Sequence, residues 1–375
     1  MHRHLHIHKI RTLKNELAEL YLNVTMQLFA LSLVSVFVPI YLMKLGYDFD
    51  VAIMFYIISF ACIGLFSITS AKLANRFGFK HIILLRTPLL IAYLIGLNFI
   101  PQVNSLFFIY FLAVLSGVSD SIYWISFNSL FVRNSHKGKR TKEVTEVKSL
   151  ISFVNILAPA IGGVLAVAFS FNLLFIISIA VIFLSLIPLF MTKDIKPHVK
   201  FSFKKLFSKS HVKFFIGFIA QGMENVGFYV FWPVFIFVML NDIEIVGFAT
   251  TIGWIGVVLS SYVLMKEHVK IRTMLRYGAF FTAIVWILRI FAFDTFSMLL
   301  ISILGGLTGI MIAIGYETKA WNRAVIENTE EFVVFRELSL AAGRVLLLLI
   351  SLYVIDKFIT VFAFSSVASL IFAFV

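Results

Sequence analysis

The chain has 375 residues, of which 61% are hydrophobic and 14% charged, with a mean hydropathy of +0.99 and a formal net charge of +13. Soluble globular chains run at about 45–50% apolar and about 25% charged, so this balance excludes an ordinary soluble enzyme and predicts a polytopic membrane protein. Its one cysteine, Cys62, lies inside an apolar run, which excludes an intramolecular disulfide and a cysteine-based metal site.

Residues 1–19 are polar and basic. Ile10, Leu13, Leu17 and Leu20 fall at helical spacing and predict an interfacial helix leading into the first span. His2, His4, His6 and His8 alternate, a spacing that suits no single helix face, and read as a solvated tail rather than a metal site. Apolar runs then predict twelve spans, at 20–43, 51–71, 82–100, 105–131, 149–169, 172–191, 213–239, 245–265, 274–292, 296–316, 332–354 and 357–375. Each approaches the roughly 20 residues that cross a bilayer core. The expected class is an all-α integral membrane protein of two six-helix bundles, 20–191 and 213–375, joined by a basic linker at 192–212.

Charge placement supports this division. Connections on one side carry Lys72, Arg76 and Lys80, then Arg133, Arg140, Lys142 and Lys148, the lysines of the linker, and Lys266, Lys270, Lys319 and Arg323. The alternate connections hold only Lys44 and Lys357. By the positive-inside rule the basic side is cytoplasmic, as are both termini. The net charge is thus a consequence of topology, and a nucleic-acid partner is not expected.

Sliding the chain by 194 residues sets Pro39 on Pro233, Asp50 on Glu244, Lys72 on Lys266 and Arg76 on Lys270, which predicts a parallel 6+6 repeat. No nucleotide-binding loop is present: Gly138-Lys139 lacks the preceding strand and glycine spacing. No metalloprotease signature or nucleophile elbow occurs either, so the chain is not read as an enzyme and no cofactor is expected. The Asn23-Val24-Thr25 sequon is discounted, because it falls at the cytoplasmic start of a span.

Ionisable groups inside a membrane are costly and mark pathways or pair with each other. Arg86, Asp120, Glu224, Arg289, Glu337 and Arg344 are such groups. In span 4, Asp120, Tyr123, Trp124, Phe127 and Asn128 follow the i, i+3, i+4, i+7, i+8 stripe of one helix face. That face is either an interhelical hydrogen-bond strip or a cavity wall with Asp120 as a proton or cation site. In span 7, Gln221, Glu224, Asn225, Phe228 and Trp232 form a second polar and aromatic face, while Gly222, Gly227 and Pro233 allow bending or close packing. Glu224 lies about 16 Å, or 11 residues, from Lys213 at helical rise. It reads as a coupling or substrate group, or else as a paired structural carboxylate. Asn23 and Gln27 in span 1, and Thr308, Tyr316 and Glu317 in span 10, are further cavity-lining candidates, with ordinary polar packing as the alternative. Arg86 and Arg289 are expected to snorkel or to pair structurally.

Residues 71–80, AKLANRFGFK, resemble the loop between spans 2 and 3 of the major facilitator superfamily, whose pattern is G-x-L-x-D-R-x-G-R-K. Leu73, Arg76, Gly78 and Lys80 match, whereas Ala71, Asn75 and Phe79 depart from the pattern's glycine, aspartate and arginine. APAIGG at 158–163 resembles the G-P-x-x-G-G element of the family's drug/proton antiporters. The antiporter R-x-x-Q-G of span 4 is missing, with Ala113 and Ser116 in its arginine and glutamine positions.

The resemblance implies two bundles rocking about a central cavity lined by spans 1, 4, 7 and 10. It also implies a gating loop formed by Lys72, Asn75, Arg76, Gly78 and Lys80, softened because Asn75 lacks the family's charge. Span 11 is a supporting helix in this family, so Glu337 and Arg344 are expected to be structural charge groups, in contact with Arg76 or Lys72. The expected function is secondary active transport of a small-molecule substrate by rocker-switch alternating access. Protons or another ion would couple through Asp120 and Glu224, in a monomer within the lipid bilayer of the plasma membrane. The alternative is a non-transporting receptor, assembly factor or lipid-handling relative.

Overall fold

The computed structural model describes residues 22–136, 138–190, 211–267 and 269–375. The expected interfacial helix, the alternating histidines and nearly all of the linker lie outside the described residues. The helices are α1 (Leu22–Lys44), α2 (Phe49–Phe77), α3 (Phe79–Val103), α4 (Leu106–Asn134), α5 (Arg140–Ala168) and α6 (Phe171–Leu184). They continue as α7 (Val212–Leu240), α8 (Ile243–Lys266), α9 (Ile271–Phe291), α10 (Thr295–Ile326), α11 (Thr329–Leu352) and α12 (Lys357–Ile371). Among the described residues, nine helices are long and apolar enough to cross a membrane. The others are α6 and α12, which are shorter, and α11, which carries Glu330, Glu331, Arg336, Glu337 and Arg344.

Several helices outrun their apolar cores, and the expected loops shrink accordingly. The nine-residue cationic turn at 72–80 reduces to Gly78, with Lys72 and Arg76 on the last turns of α2 and Lys80 on the first of α3. Gly78 stands at φ 98 and ψ 156 while its N–H closes α2 on the carbonyl of Ala74. That backbone region is essentially confined to glycine, at a cost of about 1–3 kcal/mol for other residues. Likewise α5 begins at Arg140 rather than 149, and α10 runs on to Ile326 rather than 316. Charged residues are compatible with helix once the helix has left the hydrocarbon, so hydropathy marks the core of each span and not its ends. At the other end of α10, Asp294 and Ser297 form a reciprocal capping box, and these hydrogen bonds hold the Asp294 carboxyl below the usual carboxylate range.

Two helices are irregular near corresponding places. In α1 a 3-10 turn, Ser35–Phe37, precedes Pro39, and in α7 a π turn, Gly227–Phe231, precedes Pro233. Helices α2 and α8 start at Phe49 and Ile243, the same 194-residue offset seen in the sequence.

Helix α11 is wedged between α2 and α7, and α8 between α5 and α10; α3 packs on α4 and α6, and α9 on α10 and α12. Small residues set these seams: a Cβ on Gly64 of α2 would meet Ala341 of α11, and one on Gly247 of α8 would meet the Pro159 carbonyl of α5. Pro159 belongs to the APAIGG element, whose Gly162 admits the Leu33 carbonyl of α1, so that element serves here as a packing surface. The apolar core falls into two main clusters. One gathers α1, α7 and α8 at the end of the bundle away from the basic connections, and the other gathers α4, α10 and α11 at the basic end. Large apolar side chains such as Leu65, Phe107, Phe153 and Phe296 face outward, as expected of a surface bathed in lipid.

Candidate functional site

Polar groups inside the bundle fall into two interior clusters and a layer at the basic end. The first cluster centres on Arg86 of α3, which is fully buried. Its Nη2 donates to Asp120 of α4 at 3.0 Å, its Nε donates to Ser119 at 3.1 Å and its Nη1 donates to Gln27 of α1. The guanidinium lies 4.1 Å above the ring of Tyr123. Every guanidinium nitrogen of Arg86 has a partner, so the buried charge is fully compensated. The Asp120 side chain keeps 30% of its surface accessible although it sits near the middle of α4, and it therefore borders open space inside the protein. Of the two expected outcomes for Arg86, the structure shows pairing and not snorkelling.

The basic end carries a layer of cross-links between the first five helices and α10–α11. Arg133 of α4 donates to Glu330, Arg140 of α5 donates to Asn322 at 2.7 Å and to the Trp321 carbonyl at 3.4 Å, and Lys148 of α5 donates to Glu317 at 2.8 Å. Arg336 of α11 reaches both Glu317, at 3.5 Å, and its neighbour Glu337. Asn128 of α4 donates to Glu337 at 3.3 Å. The cations of the first set thus face the acids of the second. Glu317, Glu330 and Glu337 are all buried, which makes their charge-assisted bonds strong and their disruption costly. Arg133, Arg140, Lys148 and Glu330 were read in the sequence only as topology signals or not at all. The signal that could have found them is the cluster of acids Glu317, Glu327, Glu330, Glu331 and Glu337 within the otherwise basic cytoplasmic connections.

The other interior cluster lies among α7, α9, α10 and α12. Glu224 accepts from Ser369 of α12 and lies within electrostatic reach of Arg289. Trp232 donates from Nε1 to Ser302 of α10 at 2.9 Å. Glu224, Phe228 and Trp232 of α7 all lie around Arg289 of α9, across the π turn of the helix. The π turn inserts an extra residue between Glu224 and Trp232 and rotates the later side chains relative to the earlier ones. Glu224 accepts from Ser369 of α12, and Trp232, bonded to Ser302 of α10, also meets the ring of Phe362 of α12 at 6.0 Å.

The remaining candidates divide similarly. Asn23 donates to the Ser185 carbonyl at 2.6 Å, Thr308 to the Leu304 carbonyl of its own helix at 3.0 Å, and Tyr316 to the Phe214 carbonyl at 2.8 Å; these are packing contacts. Trp124, Gln221 and Asn225 are half-buried. Arg344 places its guanidinium 5.0 Å from the Phe60 ring of α2, and Arg76 stands 5.2 Å from Phe77. Glu337 meets Arg336 and Asn128.

At the opposite end the contacts are largely aromatic. Phe49 of α2 stacks on Phe358 of α12 at 5.8 Å and meets Phe231 of α7 edge-on at 5.3 Å, beside an Asp50–Lys357 ion pair. Lys44 lies 5.6 Å from the Phe237 ring. Midway, Thr251 of α8 donates to the Ile156 carbonyl of α5 at 2.7 Å.

Buried charge clusters inside a helical membrane bundle mark a polar pathway or structural pairs between helices. The chain matches the Major Facilitator Superfamily over residues 20–318 and belongs to that family. Its fold is similar to that of the E. coli fucose:proton symporter FucP, with a TM-score of 0.67 and 11% identity over 95% of this chain and 96% of that one. It is also similar to the nucleoside transporter NupG, with a TM-score of 0.63 and 13% identity over 95% of this chain and 97% of that one. At these identities the likeness is one of fold alone. No curated protein matches the chain in sequence.

Proposed function

We propose that the chain is a secondary transporter that moves a small solute by rocker-switch alternating access. In this reading all twelve helices span the membrane as two six-helix bundles, α1–α6 and α7–α12. The basic end and both termini face the cytoplasm of a plasma-membrane monomer. The observation that carries the proposal is the division of gates. Arg133, Arg140 and Lys148 meet Glu330, Asn322 and Glu317 at the basic end, and Phe49 meets Phe231 and Phe358 at the other. Each gate joins the two bundles, so opening one while the other holds exposes the interior to one side. The present arrangement has contacts at both gates and corresponds to a closed intermediate.

Asp120 and Glu224 supply the coupling. Asp120 borders internal space and holds Arg86, so protonating it weakens one of the three bonds that anchor Arg86 between α1 and α4. Glu224 bridges α7 to α12 beside the irregular turn of α7. A proton taken up from one side and released to the other links flux to a gradient. A thermal-shift screen at two pH values on the purified chain identifies the solute. In proteoliposomes, Asp120→Asn and Glu224→Gln should then abolish gradient-driven accumulation, because an uncoupled carrier only equilibrates its solute, while solute exchange continues. Full accumulation by both variants would remove the coupling assignment. Ligand binding with no flux in the wild type would favour the receptor reading.

A further inference from the structure

The two fully buried interior arginines differ in one respect. Arg86 has a partner for each guanidinium nitrogen, whereas Arg289, 1% exposed, makes no hydrogen bond among the described residues, and its Nε and Nη1 are sealed from solvent without an acceptor. Arg289 leaves α9 where the helix tightens into a 3-10 turn and passes α10 at Gly305, where a Cβ would come within 2.7 Å of Nη2. Its guanidinium lies 3.8 Å from the Trp286 ring, 4.7 Å from Trp232 and 5.9 Å from Phe228. Aromatic faces interact with the face of a guanidinium. They leave its N–H groups, which radiate in the plane, still requiring an acceptor.

We infer that Arg289 is the binding group for an oxyanion and that the transported solute is an organic carboxylate. The inference rests on the transport reading above and goes beyond it by naming the charge of the solute. A carboxylate supplies acceptors that the protein withholds from Arg289, and Trp286, Trp232 and Phe228 supply apolar walls for the organic part. Access is controlled by α7. Its π turn at Gly227–Phe231 lies against the same cradle, since a Cβ on Gly227 would meet Trp286 at 2.5 Å. The next residue, Trp232, is held to α10 by its bond to Ser302. Releasing that bond and regularising the turn swings Trp232 away and opens the cradle toward the interior between α7 and α10. Glu224 is the nearest acid in electrostatic reach, and its carboxylate is engaged by Ser369.

The test uses the full chain in nanodiscs, with benzoate and lactate as probes and benzamide and lactamide as their uncharged counterparts, at fixed ionic strength. Tryptophan fluorescence and thermal unfolding are the readouts. Both carboxylates should give a saturable quench and a rise in Tm, and the amides should not. Arg289→Met should weaken the carboxylate response about tenfold or more, and Arg289→Lys should restore part of it. Without ligand, Arg289→Met should unfold at or above the wild-type Tm, because it removes a buried cation with unmet donors.

No saturable response to either carboxylate, or an undiminished response in Arg289→Met, would overturn the assignment. So would a lowered ligand-free Tm in Arg289→Met that Glu224→Gln restores, which would make Arg289 the counter-charge of Glu224. Flux of an uncharged or cationic solute unaffected by Arg289→Met overturns this site and leaves transport standing. Carboxylate binding without flux leaves the site standing and overturns transport.

Discussion

Replacing Glu317 by glutamine is expected to open the basic end of the protein. The carboxylate is buried and joins Lys148 of α5, at 2.8 Å, to Arg336 of α11, at 3.5 Å. Glutamine fits the same space but leaves Lys148 without its counter-charge, facing Arg336, which keeps Glu337. Breaking a buried ion pair from one side costs about 3–5 kcal/mol, and the lower figure applies because Lys148 is 29% exposed. The penalty falls only on the state in which α5 meets α10, so the equilibrium between closed and open basic ends shifts by about a hundredfold, at tenfold per 1.4 kcal/mol. A cysteine at buried Thr318, in a Cys62→Ser background, should then react with a polar maleimide about a hundredfold faster. Glu146→Gln, which alters an exposed pair with Lys142 at 3.8 Å, should leave that rate nearly unchanged. Equal rates in Glu317→Gln and the wild type would mean that this layer is not a gate.

The largest effect on stability is expected at Gly306. A Cβ there would lie 1.9 Å from the Gly253 carbonyl oxygen and 3.0 Å from the Val257 nitrogen, both backbone atoms of α8. Gly256 of α8 meets the Ile303 carbonyl of α10 in the same way, at 2.4 Å. The two helices therefore cross with their backbones in near contact. Within a bilayer such seams depend on close packing, because lipid competes equally well for apolar side chains. Gly306→Leu has no flexible side chain to displace and must force the helices apart, so its cost lies at or above the usual overpacking range, about 3 kcal/mol. Thermal unfolding in detergent should show a marked fall in Tm or no folded protein. Gly309→Ala, on the same helix with nothing within 4 Å, should be neutral or slightly stabilising. Similar behaviour of the two variants would contradict the seam.

The apolar runs were enough to locate every described helix, because lipid imposes length and composition on each span. The helix ends were not legible, since a charge on a helical extension and a charge in a loop look alike in hydropathy. That ambiguity hid the cross-links of the basic end: Arg140 and Lys148 lie on α5 and Glu317 well inside α10, all within stretches that read as connections or their margins. Periodicity grouped Asp120, Tyr123 and Asn128 on α4; Asp120 and Tyr123 meet Arg86, while Asn128 meets Glu337. The same reasoning did not foresee the π turn of α7, which adds one residue between Glu224 and Trp232, although both still reach Arg289. Spacing says which side chains share a face, but not which neighbour that face meets. Glu224 meets Ser369 of α12, and Arg289 of α9 meets Trp232 and Phe228 of α7 and passes Gly305 of α10; only the packing of these helices brings them together.

The central claim is that the two gates open in alternation. Spin labels at Lys142 and Val325 report the basic end, and labels at Phe107 and Ile355 report the other; all four side chains are exposed. Distances measured by double electron–electron resonance in nanodiscs should show two populations for each pair. On adding solute or stepping the pH, the long distance at one end should grow as the long distance at the other declines. A single unchanging distance at both ends, or both pairs lengthening together, would contradict alternating access.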